Sequence, residues 1–150
     1  MSLDESFKEL EQSVVEDMRR VYSEKTIAHF LNPRNLGRTQ AADGFGSVTG
    51  ACGDTMEIYL VVKDGGIADA TFWTDGCGPS IASGSMATEL AKGKSIADAM
   101  KIGQDDIINA LGGLPEESLH CALLAVNTLR EAIRDYLAFK KEPWKRAYRR

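Results

Sequence analysis

The chain is poor in the residues that build covalent or membrane-bound frameworks. It has three cysteines in 150 residues, an odd number that cannot close a disulfide framework. No apolar run approaches the ~20 residues needed to cross a bilayer. Positive charge is short as well. Eighteen Lys and Arg face 22 Asp and Glu, for a net charge of −4. That excludes nucleic acid as the main partner, because phosphate binding needs clustered basic residues. The opening segment, MSLDESFKELEQ, is acidic and lacks the apolar stretch of a secretory signal. A reducing, cytoplasmic location is therefore expected, where thiols stay free for metal or sulfur chemistry. Internal repeats and low-complexity stretches are absent, and 43% hydrophobic residues suit a single globular domain.

Apolar spacing marks the elements that are present. Phe7, Leu10, Val14, Met18 and Val21 recur at steps of three and four, one stripe of an amphipathic helix over 4–21. The expectation is that this stripe packs on its own domain, with partner docking or oligomerisation as the alternative. A short helix over 23–30 follows, with Ser23 as cap and Pro33 beyond its end. Segments 46–49, 55–63 and 67–74 read as strands, the last two joined by the turn Asp64-Gly65-Gly66. From Pro79 onward the pattern is helical. One helix runs to Lys92-Gly93, Ser95 and Asp98 form a capping box for a second, and a long one runs from Pro115 to about Phe139. Strands followed by helices predict an α+β fold: a three-stranded antiparallel sheet with helices packed on one face and an extra N-terminal helix.

The cysteines sit in Gly50-Ala51-Cys52-Gly53-Asp54, Gly76-Cys77-Gly78-Pro79 and Leu119-His120-Cys121. If they converge, three thiolates with Asp54 and His120 offer five donors, enough for an iron–sulfur cluster or a zinc ion. Cys52 and Asp54 lie two apart before a strand, and in an extended segment such residues point to one side. Cys77 directly precedes a helix, whose free N–H groups favour thiolate. Its flanking glycines leave room for a cluster to approach, or make a plain turn. On the last helix, Leu119, Ala122, Leu123, Val126, Leu129, Ile133 and Leu137 define a core stripe. His120 and Cys121 fall about 130° from its centre. Both are expected outside the core, near a positive helix end that lowers a thiol's pKa.

These residues are where a family resemblance enters. The chain resembles the IscU/NifU-type scaffold proteins for iron–sulfur cluster assembly, over about Tyr22 to Phe139. The resemblance is carried by Tyr22-Ser23-Glu24-Lys25, Asn32-Pro33-Arg34-Asn35-Leu36-Gly37, Cys52-Gly53-Asp54, Gly76-Cys77-Gly78 with Ile81-Ala82-Ser83, Lys92-Gly93-Lys94-Ser95, and Leu114-Pro115 through His120-Cys121. It implies three parts: a helical extension over 1–21, a scaffold domain over 22–139 and a basic tail over 140–150. It implies that Cys52, Cys77 and Cys121 hold a transient [2Fe-2S] cluster, with Asp54 or His120 completing the shell, and that zinc can occupy the site when iron is absent. It also implies a cysteine desulfurase as sulfur donor, with Cys121 as persulfide acceptor. Apo-protein recipients, a ferredoxin and self-association complete the implied partners. Three thiolates with one oxygen or nitrogen ligand make a more exchangeable site than four thiolates, which suits a transient holder.

Leu114-Pro115-Glu116-Glu117-Ser118 departs from the Leu-Pro-Pro-Val-Lys that a heat-shock chaperone pair recognises in many members. Two acids and no lysine put chaperone-assisted release outside the resemblance. The interval between Cys77 and Cys121 has no room for the insertion of the zinc-binding SufU-like relatives. A SufU-like sulfur relay without cluster building is nonetheless the alternative reading. A Cys121–His120–Asp54 nucleophilic enzyme is disfavoured, because adjacent helical residues do not face each other and Cys52 and Cys77 stay unexplained. An electron-transfer ferredoxin lacks its fourth cysteine. The expectation is a non-enzyme. The basic tail, with Trp144, reads as a solvated end or as a desulfurase-docking segment.

Overall fold

The computed structural model describes residues 2–144. Helix α1 spans Leu3–Arg19 and α2 spans Glu24–Leu31. Three strands follow: β1 (Gly44–Thr49), β2 (Thr55–Lys63) and β3 (Gly66–Thr74). Then come α3 (Gly78–Ala91), α4 (Ile96–Met100), α5 (Gln104–Ala110), a 3-10 turn (Glu116–Ser118) and α6 (Leu119–Lys141). The fold is α+β as expected, with an antiparallel sheet in the order β1-β2-β3.

Strand β2 buries Met56, Ile58 and Leu60 and leaves the alternate positions half-exposed, the period-two pattern of a sheet covered on one face. Asp64 and Gly65 have φ values of 53° and 76°, so the hairpin turns through the left-handed region that Asp-Gly favours. Ile67, Ala70 and Phe72 of β3 extend the core, which α3 and α6 close. Burial of each large aliphatic side chain stabilises the fold by roughly 1.5–3 kcal/mol.

The way α6 lies on the sheet depends on small residues. A Cβ built at Gly46 would come within 2.5 Å of both the Thr128 carbonyl oxygen and the Ala132 nitrogen. Only glycine lets these backbones meet so closely. The buried face of α6 is therefore Cys121, Ala122, Leu124, Ala125, Val126, Thr128, Leu129, Ala132 and Ile133. This corrects the sequence-derived stripe. Ala122, Val126, Leu129 and Ile133 are buried, but Leu123 and Leu137 are 44% and 41% exposed. Counting large aliphatics places the stripe roughly a quarter-turn from the face that small residues create. Cys121 is consequently a core residue, 1% exposed, whereas His120 is exposed as expected.

Several other expectations are amended. Helix α1 forms, capped by Ser2, but it has no buried residue. Phe7, Leu10 and Val14 are 65%, 62% and 50% exposed, so the stripe is not packed on its own domain. Near its end Met18 lines a pocket with Tyr22, Ile27 and Phe30, and further back Phe7, Leu10 and Val14 border an open groove with Leu31 and Asn32. Strand β1 starts two residues earlier than read. Only the Ser95 half of the box before α4 is made, its hydroxyl accepting from the Asp98 N–H. Helix α5 lacked a sequence signal of its own, and Pro115 opens a 3-10 turn rather than α6 itself. Trp144 is exposed, and tail residues 145–150 lie outside the described residues.

Candidate metal and sulfur site

Three connections bring the cysteines to one rim of the domain. The β1–β2 loop carries Cys52. It is not extended: the Gly53 N–H donates to the Gly50 carbonyl and the Gly50 N–H to the Asp54 carbonyl, with Gly53 at φ 85°. This tight turn overrides the same-side expectation for Cys52 and Asp54. Cys52 is exposed and its sulfur meets His120 Nε2 at 3.1 Å, while Asp54 turns toward α3.

The β3–α3 connection carries Cys77, the N-cap residue of α3, exposed and making no capping hydrogen bond of its own. Its position is fastened from β2. The Thr55 N–H donates to Asp75 Oδ1 at 2.8 Å, and Thr74 Oγ1 donates to the Thr55 carbonyl at 2.8 Å. A Cβ at Gly78 would lie 2.0 Å from the Phe30 ring. The glycine after Cys77 thus makes room for α2, not for a cluster.

The third connection is the 3-10 turn into α6, whose first turn supplies His120 and Cys121. His120 Nε2 lies 3.1 Å from Cys52 Sγ and 3.6 Å from Cys121 Sγ, so both sulfurs contact one ring nitrogen. Adjacency on the helix did not keep His120 and Cys121 apart, which overturns the geometric objection raised from sequence. Ser80, in the first turn of α3, was missed altogether. Its Oγ stands 3.4 Å from Cys121 Sγ, 3.5 Å from Asp54 Oδ2 and 4.0 Å from Cys77 Sγ. The signal available in sequence was its spacing, one helical turn after Cys77.

All five candidate donors are therefore linked through His120 or Ser80. Even so, no three of His, Cys, Asp or Glu among the described residues already stand as a closed set around one ion. Thiol, imidazole and carboxylate together suit iron or zinc, and the chemistry of the set fits such a cargo. Electrostatics distinguish Cys121 from the expectation of a lowered pKa. Burial pushes its thiol up to about 11; the Ser80 hydroxyl pulls the other way, and nearby Cys77 and Asp54 add to the rise. Desolvation outweighs the helix end here, since Cys121 lies inside the first turn rather than ahead of it.

A three-stranded sheet backed by helices, with thiols gathered at one end of its connections, defines a class of small thiol-bearing domain. Residues 21–143 match the NifU-like N terminal domain. The chain is 53% identical over 117 residues to the iron-sulfur cluster assembly scaffold protein IscU 1 of Archaeoglobus fulgidus, covering 77% of this chain and 76% of that one. It is 47% identical over 120 residues to the scaffold protein IscU of Escherichia coli, covering 77% and 93%. Among solved structures, a NifU-like protein (N-terminal) from Brucella abortus superposes with TM-score 0.61 at 20% identity, covering 79% of this chain and 95% of that one, a likeness of fold. The chain belongs to the NifU-like N-terminal domain family. Helix α1 lies before the matched region. No helix among the described residues is long and apolar enough to cross a membrane.

Proposed function

We propose that this chain is a scaffold on which a transient [2Fe-2S] cluster is assembled from iron and persulfide sulfur and then passed to apo-proteins. The observation that carries this reading is the meeting of Cys52 and Cys121 on one His120 nitrogen, with Cys77 held on the same rim through Ser80. The relatives' names support it. Cys52, Cys77 and Cys121 hold the cargo, with Asp54 or His120 completing the shell, and zinc binds the same donors when iron is absent.

A cysteine desulfurase is the sulfur donor. The attacking scaffold thiolate forms a new S–S bond to the donor's outer sulfur, and the donor's cysteine thiolate leaves. Cys52 and Cys77 are the thiols an incoming persulfide meets first, because they are exposed. For Cys121 to be the final acceptor, the first turn of α6 must move to uncover it, and the 3-10 turn at Glu116–Ser118 is the adjoining joint. A ferredoxin supplies the electrons that take persulfide sulfur to sulfide. The domain works in the cytoplasm, as a holder of cargo rather than a catalyst of turnover.

The test is anaerobic reconstitution with iron, cysteine and a cysteine desulfurase, followed by visible absorption. Wild type should develop the bands of a [2Fe-2S] cluster, and the alanine variant of each cysteine should lose them. Stoichiometric zinc binding with desulfurase activation, yet no colour with iron, would replace this reading with that of a sulfur relay.

A further inference from the structure

Ser80 has no accessible surface, and a buried hydroxyl is destabilising unless it is paired. Two other buried hydroxyls of α3, those of Thr88 and Ser85, are satisfied by partners away from the site. Thr88 donates back to the Gly84 and Ser85 carbonyls at 2.8 and 3.0 Å. Ser85 Oγ pairs with His29 Nδ1 at 2.7 Å and accepts from the Arg34 N–H at 2.9 Å, docking α2 and the following loop. Ser83 Oγ has no partner among the described residues. Ser80 differs: its partners among the described residues are all in the site, namely Cys121, Asp54 and Cys77. Alanine would serve at this position if the role were packing alone.

We propose that Ser80 is a positioning residue, whose hydroxyl holds the Cys121 sulfur and the Asp54 carboxylate against one fixed point of α3. Asp54 sits on the loop leading into β2 and Cys121 on α6, so without a common partner each would rotate independently. Ser80 sits on a third element, in a helix turn that cannot move without disturbing the core. The 3.4 Å contact is of ordinary length for a hydroxyl and a sulfur, and the 3.5 Å contact to Asp54 is long for one between two oxygens, so the sulfur is the nearer partner in bonding terms. Hydrogen-bond partners that orient metal ligands from outside typically matter tenfold or more to affinity. The inference rests on the assembly reading only in taking Cys121 and Asp54 as ligands.

Zinc(II) alone is the probe, titrated into the full-length apo-protein in competition with a chromophoric chelator. Ser80→Ala should weaken zinc binding about tenfold, the low end of the range for such partners. Ser83→Ala removes an equally buried hydroxyl from the same helix and should leave affinity unchanged. Ser80→Ala combined with Asp54→Ala should lose less than the product of the two single losses, because both act on one arrangement. With cobalt(II) in place of zinc, the thiolate charge-transfer band of Ser80→Ala should differ from wild type. The inference is overturned if Ser80→Ala keeps wild-type zinc affinity and cobalt spectrum. It is equally overturned if Ser83→Ala does the same damage, or if the Ser80 and Asp54 effects simply multiply. Failure of the assembly reading would show separately, as a wild type that binds zinc yet never forms a cluster, and would leave a positive Ser80 result standing.

Discussion

Helices α1 and α6 carry equally regular apolar stripes, and the fold treats them in opposite ways. Helix α1 has large residues, Phe7, Leu10 and Val14, on a face that stays open. Helix α6 buries a face of alanines, Thr128 and Cys121 and leaves some of its leucines outside. Periodicity identifies a helix in both cases. Which face is covered depends on what the neighbouring element lets approach, and in α6 the glycines of β1 set that. Cys121 lies on the buried side of the same helix, against Ser80 of α3, so the rim has two open thiols and one covered one.

The contrast can be broken most sharply at Gly46. Gly46→Ala pushes a methyl against two backbone atoms of α6 and should cost about 3 kcal/mol, read as a fall in the urea midpoint. A change near zero would mean the helix is not seated as described. Thiol alkylation sharpens the contrast between open and covered sulfur. With iodoacetamide at pH 8, Cys52 and Cys77 should be modified first. Cys121 should react about a hundredfold more slowly than an ordinary thiol, because a pKa near 11 leaves little thiolate. Its rate should climb as pH approaches 11, and peptide mass spectrometry would follow all three.

A smaller effect concerns the α2–α3 contact. Burial, and then the Arg34 charge, hold the His29 pKa below its usual value. The unfolded chain therefore takes up a proton near pH 6.5 that the folded chain resists. Stability is intact above that pH and falls below it. The urea midpoint should drop between pH 7 and 5, by less than tenfold in the unfolding equilibrium per pH unit, and His29→Gln should flatten that part of the slope. Least of all, Leu10→Ser on α1 should shift stability by no more than about 0.5 kcal/mol. A loss of several times that would show that α1 is covered after all.

Much of the fold is legible in local signals along the chain. The alternation in Met56-Glu57-Ile58-Tyr59-Leu60, the Asp64-Gly65 turn, the Ser23 cap and Pro79 at the start of α3 are such signals, and each element lies where they place it. The candidate donors are legible too, since Cys, His and Asp are recognisable as ligand types in any context. Their arrangement is not. A single turn at Gly50–Gly53 sends Cys52 to His120 and Asp54 to Ser80. Ser80 escapes notice because a serine among Ala82, Ser83, Gly84 and Ser85 reads as ordinary small-residue packing.

What the amino-acid order settled alone was most of the elements, the absence of a disulfide framework and the kinds of donor at hand, because these depend on near neighbours and on side-chain chemistry. What only the three-dimensional assembly decided was which side of α6 lies against the sheet, which thiol is hidden, and which atoms share His120 and Ser80. Those outcomes depend on contacts between segments far apart in the chain. Packing at close range through glycine and alanine leaves no periodic trace of large residues to read.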